Sequence, residues 1–346
     1  MAFRRSVPLL AALALAACGT VRPARAAQTL SDQGALQLER GHLEEAEASL
    51  RLALEVDPGW APAHANLGLV RLARGDLAGA EASLRGALRA REDFVEAWAD
   101  LGVVLERAGR RDEAREAYEH ALSITPTLPL PRLALARLLV RSGRPVEART
   151  HLLRLVALLP DDAEALGLLA WAELRIDRPS AASELVERAL AIDPEAAAAR
   201  FTQALLRARR GELGPARDAM LALEHDPVLG HEARLRVASL DVLAGAHLLA
   251  HTRLDPLLED DPFDPALRLV AAVLARDEGR NEDAIVHARE ARTLEPTLEE
   301  AWLLEAEACA RMGDLACATE ALAHVHARTD SMRRERERVA ASMRAQ

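Results

Sequence analysis

Residues 95–128 read VEAWADLGVVLERAGRRDEAREAYEHALSITPTL, and this stretch decides the fold. Apolar residues recur at helical spacing up to Leu105, then Gly109 interrupts. A second run, through Ala114, Tyr118 and Ala121, ends at Pro126. Gly109 suits a tight turn because glycine reaches backbone angles that side chains resist. Pro126 cannot continue a helix. The stretch is therefore a helix, a turn and a second helix in 34 residues.

The same period extends in both directions without a gap. Blocks of 34 residues begin at residues 27, 61, 95, 129, 163, 197, 231, 265 and 299. Position 20 is alanine in all nine blocks, from Ala46 to Ala318. Position 8 is Gly34, Gly68 and Gly102, then alanine in the other six. Position 15 is glycine in every block but the fifth, which has Asp177. Position 32 is proline in six blocks: Pro58, Pro126, Pro160, Pro194, Pro262 and Pro296. Small residues at 8 and 20 let two helices approach closely. Such self-similarity means stacked helix pairs, each burying its apolar face on its neighbours.

Trp98, Leu101, Gly102, Ala114, Tyr118, Ala121 and Pro126 sit as in the tetratricopeptide repeat family, which the chain resembles over residues 27–330. The resemblance implies an all-α, right-handed α-α superhelix of about nine helix-turn-helix repeats. Departures fall at Glu92, at Pro227, which comes one residue early, and at Asp241 in place of tyrosine. The last two predict weaker packing and a joint around residues 220–262. Residues 331–346, SMRRERERVAASMRAQ, place Met332, Val339 and Met343 near one helical face, a capping helix with a polar outer side. Alternatively, Arg333, Arg334, Arg336 and Arg338 touch acidic lipid headgroups.

The N-terminus is of another kind. Arg4 and Arg5 precede VPLLAALALAA, 11 uncharged residues, and then Cys18. A charged start, a short apolar core and small residues at the cut make a secretory signal, too short to span a bilayer. Leu15-Ala16-Ala17-Cys18 resembles the lipobox of bacterial lipoproteins. That resemblance implies cleavage after Ala17, lipidation of Cys18, a tether over residues 18–26 and, with Gly19 rather than Asp next, passage to the outer membrane. The alternative is an ordinary signal cut near Ala26 and a soluble periplasmic protein.

Composition narrows the function. The net charge is −10, all 44 basic residues are arginine, and only 3% of residues are aromatic. An acidic chain lacks the basic face of a nucleic-acid binder. Nine helix pairs leave no room for a catalytic domain, and there is no phosphate loop and no nucleophile elbow. His247 and His251 stand at i and i+4 but without an evident third ligand, so no metal or cofactor is expected.

A surface remains, and the chain is expected to be a scaffold for protein partners in the cell envelope rather than an enzyme. By resemblance, positions 2, 5, 9, 12 and 13 line a concave groove. These columns hold Trp171, Phe201 and Arg137, and a row formed by Arg107, Arg141, Arg175, Arg209 and Arg311. Trp171 and Phe201, in adjacent blocks, should lie close together, either as exposed anchors or as core. The arginines either clamp carboxylates of a partner or answer the dipoles of their own helix ends. Similar repeat lipoproteins help assemble type IV pilus secretins or polysaccharide export channels; an adaptor for cell-wall enzymes is the second reading.

With Cys18 set aside, Cys309 and Cys317 flank Gly313 at equal distance. They are either two small core residues or a bond that staples the ninth block in an oxidising compartment. Intact-mass measurement with and without reductant should show a gain of about 2 Da on reduction; an unchanged mass removes the bond.

Overall fold

A computed structural model of the chain describes residues 23–327 and 330–344. Residues 1–22, which include the stretch read as a signal sequence and Cys18, lie outside the described residues. Among the described residues all regular structure is helical, in 19 helices. They run in antiparallel pairs that follow the 34-residue blocks, and two compact units divide between Pro160 and Asp161.

The first unit holds four pairs: α1 (Pro23–Glu39) with α2 (Leu43–Val56), α3 (Ala61–Ala73) with α4 (Leu77–Ala90), α5 (Val95–Arg107) with α6 (Arg111–Ile124), and α7 (Pro129–Arg141) with α8 (Pro145–Leu158). The second holds α9 (Ala163–Arg175) with α10 (Pro179–Ile192), α11 (Ala197–Arg209) with α12 (Leu213–Leu221), and α13 (Gly230–Leu243) with α14 (His247–Asp260). It continues with α15 (Pro265–Asp277) and α16 (Asn281–Leu294), α17 (Glu299–Arg311) and α18 (Leu315–Ala323), and α19 (Asp330–Arg344). Helix α1 begins at Pro23, so residues 23–26, read as tether, are already helical. Proline is favoured in a first turn, where its missing N–H costs nothing.

Each column has a physical role. The nine alanines at position 20 are all at most 1% exposed, so the column is the seam of every pair. In the first three blocks position 8 must be glycine: a Cβ on Gly34, Gly68 or Gly102 would lie 2.6, 2.7 or 2.5 Å from Leu50, Leu84 or Tyr118. Position 15 has a backbone reason instead. Gly109 has φ +76° with nothing within 4 Å of a would-be Cβ. Asp177, the exception, takes the same left-handed turn at φ 63°; aspartate tolerates it better than most residues. The helices before the column prolines end two residues ahead of them, as α6 does at Ile124 before Pro126.

Residues 220–262 show the looser packing expected of them: α13 and α14 meet less closely than the two helices of any other repeat, and α14 meets α15 less than other second helices meet the next repeat of their unit. Asp241 is 1% exposed and lies between two guanidinium groups, Arg217 at 2.6 Å from α12 and Arg253 at 2.9 Å from α14. A buried carboxylate persists only when paired, and here two partners hold it. Around it Leu235, Val242, Leu254, Leu257 and Leu267 form one core cluster. Helix α12 already ends at Leu221, six residues before Pro227, and Gly230 packs against the Glu224 carbonyl, where a Cβ would come to 2.7 Å. At the C-terminus, Val339, Ala340 and Met343 of α19 pack with Leu303, Ala306 and Leu322.

Two substitutions separate crowding from propensity. Gly102→Ala should destabilise by about 1–3 kcal/mol, because the Tyr118 ring must yield. Gly214→Ala, in a helix with nothing within 4 Å, should be neutral or slightly stabilising. Urea midpoints compare the two; equal midpoints would show that position 8 is not a packing constraint.

Candidate partner-binding site

The aromatic pair in the second unit lies together but not at a surface. Gly167 on α9 lets the α11 backbone in so closely that a Cβ there would sit 2.5 Å from the Ala199 nitrogen. The Thr202 hydroxyl, fully buried, donates to the Ala198 carbonyl at 2.8 Å. At this short approach the Trp171 and Phe201 rings meet edge to face, centroids 4.8 Å apart. Trp171 is 1% exposed and Phe201 0%. As groove anchors both are corrected: they are core, and no partner can reach them in the folded protein.

The arginine row is mostly answered from within. Arg141 lies 3.5 Å and Arg137 4.0 Å from Glu106, which also accepts from the Tyr118 hydroxyl at 3.2 Å. Arg209 pairs with Asp177, and Arg311 with Glu307 at 3.0 Å. Among the described residues Arg107 and Arg175 form no ion pair; both are exposed. Desolvation, and then the Arg236 charge, lower the Arg175 pKa from the usual arginine value, while Glu232, Glu300 and Glu295 oppose the shift. Arg175 stays charged at any physiological pH. A continuous clamp for acidic groups is therefore not what this row forms.

The open space is in the first unit, on the side carried by the first helices. A cavity of about 320 Å³ lies between α5 and α7, over Tyr118 of α6. Its α5 wall is Glu96, Ala99, Asp100 and Val103; its α7 wall runs from Leu128 to Pro131 and Ala134. Pro129 and Pro131 fit the first turn of α7, where backbone N–H groups have no helical partner. They hold Leu130 at the mouth, 78% exposed. The lining is apolar except for the two carboxyl groups and the Tyr118 phenol. Burial, with the Glu96 charge one turn away, pushes Asp100 up to about 6. Among the described residues neither acid has an ion-pair or hydrogen-bond partner.

The other openings are lined by charges of both signs or flanked by a neighbouring helix. A cavity of about 650 Å³ beside the stacked Trp98 and His120 rings carries Arg85, Arg89, Glu113 and Glu116, charges of both signs. One of about 270 Å³ against Leu269, Val273 and Leu303 is flanked by Met332 of α19. His251 lies 3.1 Å from Glu278, yet among the described residues no group of three or more His, Cys, Asp or Glu could hold a metal ion. Cys309 and Cys317 are bonded, with Cα atoms 5.9 Å apart across the α17–α18 turn.

Family models described as tetratricopeptide repeat match residues 31–93, 65–129 and 107–172. Residues 31–172 carry tetratricopeptide repeats. A tetratricopeptide repeat protein from Parabacteroides merdae covers 70% of this chain with 96% of its own, at 19% identity and a TM-score of 0.50, which shows the same fold. YrrB, described as having an unusual peptide-binding site, aligns over 50% of this chain and 90% of its own, at 22% identity and TM-score 0.45. MamA aligns over 50% of this chain and 94% of its own, at 17% and 0.45. A search of curated proteins finds no match. Tetratricopeptide repeats generally mediate protein–protein contact and typically form scaffolds rather than enzymes.

Asp100 was not among the columns read from the sequence. It occupies position 6, outside the five groove columns, although Glu96 and Asp100 at i and i+4 were visible as a like-charge pair. Its raised pKa gives the sign of a stability effect. The folded state binds the proton more tightly than the unfolded state, so stability falls as pH rises from about 4 to about 6. Asp100→Asn should therefore stabilise the protein by about 1–2 kcal/mol near neutral pH, after allowing for solvent screening, with little effect near pH 4. Urea denaturation at the two pH values checks this; equal gains at both would refute the shifted titration.

Proposed function

We propose that the protein is a lipid-anchored scaffold of the cell envelope that holds a partner protein on the inner face of its first unit. The open apolar cavity between α5 and α7, on columns 2, 5 and 9 of the repeat, carries this reading. It supplies what a partner side chain needs: apolar walls, a few polar groups and access from solvent. Helix pairs without a catalytic constellation support a binding role over a chemical one. Among the described residues no helix is long and apolar enough to cross a membrane. In this reading attachment falls to Cys18, lipidated at the outer membrane; two or three acyl chains are needed for a lasting anchor. The bonded Cys309 and Cys317 agree with an oxidising compartment. Assembly of an envelope machine, a pilus secretin or a polysaccharide export channel, is the task this location favours.

A photo-crosslinking residue at position 130, used in living cells, tests the reading. Position 171, buried, is the control. Capture of one envelope protein from 130 and none from 171 is expected. In the same cells Cys18→Ser should move the protein from the membrane to the soluble periplasmic fraction. Capture from neither position, with the folded protein present, would remove the scaffold reading; an unchanged membrane fraction would remove the anchor.

A further inference from the structure

We propose that the cavity between α5 and α7 receives a bulky apolar side chain of a partner polypeptide, whose neighbouring lysine or arginine pairs with Glu96 and Asp100. The inference rests on the scaffold reading above and gives its partner a chemistry. The cavity, about 320 Å³, is at the small end of ligand pockets, the size for a side chain or two. Ala99, Val103, Leu128, Leu130 and Ala134 offer it no hydrogen bond, so its occupant is apolar. The rim is negative: two carboxyl groups one helical turn apart, with no cation opposite them among the described residues.

That vacancy stands out against the rest of the face. Nearly two turns further along α5, Glu106 has both Arg137 and Arg141 of α7 beside it. Glu106 is thus neutralised by arginines of the next repeat, whereas Glu96 and Asp100 are not. Leaving Glu96 and Asp100 together is unfavourable for folding, because like charges at i and i+4 repel and burial opposes the Asp100 charge. A charge kept against its own folding cost is characteristic of binding sites. The missing countercharge is then the partner's. A carboxylate-bearing partner would meet the wrong sign here, and the nearest arginines of α7 on this face, Arg137 and Arg141, are engaged by Glu106.

The groups that face Asp100 are few. Glu96 shares its helix, and the Tyr118 phenol approaches from α6, pushed far up by burial and by Glu106. From α7, Arg132 donates to the Pro126 carbonyl and Arg137 turns to Glu106; α3 adds no residue to the cavity wall. Asp100 therefore controls the charge, and cation binding should weaken as pH falls through about 6.

The test uses the full mature chain in detergent and fluorescent peptides of about 12 residues with a central Leu-Arg, Leu-Glu or Ser-Arg pair, read by anisotropy. Leu-Arg should bind about tenfold more tightly than either of the others. Asp100→Asn should lose about that factor and the pH dependence with it, although the variant is the more stable protein. Val103→Trp, which fills the cavity, should abolish binding, with its helicity confirmed by circular dichroism. Preference for Leu-Glu, or Leu-Arg binding indifferent to Asp100→Asn and Val103→Trp, would overturn the proposal. So would a concentration-dependent dimer that Val103→Trp dissolves, since the occupant would then be a second copy. These outcomes are distinct from failure of the scaffold reading. If position 130 captures an envelope protein whose crosslinked segment is acidic, the scaffold stands and this inference falls.

Discussion

The close approach of two helices at a seam of alanine and glycine is the constraint on which everything else rests. Every pair closes on a fully buried position 20. In the first three pairs it closes also on a glycine that lets a leucine or tyrosine nest against bare backbone. Packing interiors to crystal-like density leaves no slack for an added methyl at such points. With the seam fixed, the second helix of each pair is set at a repeatable distance. The first helices then come into line, and their outward columns become available for binding.

Much of this was legible because a period of 34 residues is visible in a single sequence. The seam alanines, turn glycines and terminating prolines each mark one physical event. What was not legible depended on residues outside the columns. Trp171 and Phe201 were correctly placed near each other, but whether they faced solvent hinged on Gly167, which draws α11 against α9. The arginine row was visible as a row. Its partners Glu106 and Asp177 occupy other columns, and only the fold brings them together. Asp241 looked like a defect because its two arginines come from neighbouring helices. The division at Pro160–Asp161 had no signal in the columns, which run through it unbroken.

The two units treat the side of their first helices differently. In the second, large side chains at groove positions are turned into core, as Trp171, Phe201 and Leu235 are. In the first, the corresponding side chains on α5 are Ala99 and Val103, too small to fill the space above Tyr118. The cavity is thus a result of side-chain volume at two positions, on a backbone plan shared by all the repeats. Stability and binding compete there: the acids that make the rim negative are those the folded chain would rather see neutral.

Helix α19 bears on a different matter, the counting of repeats. Its inner residues, Val339 and Ala340 among them, cover the apolar side that the ninth pair would offer to a tenth. Its outer residues Arg333, Arg334, Arg336 and Glu337 are exposed. Open head-to-tail contacts generate filaments when nothing closes them. A charged helix laid over the ninth pair leaves that face, at any concentration, unable to template growth by another molecule.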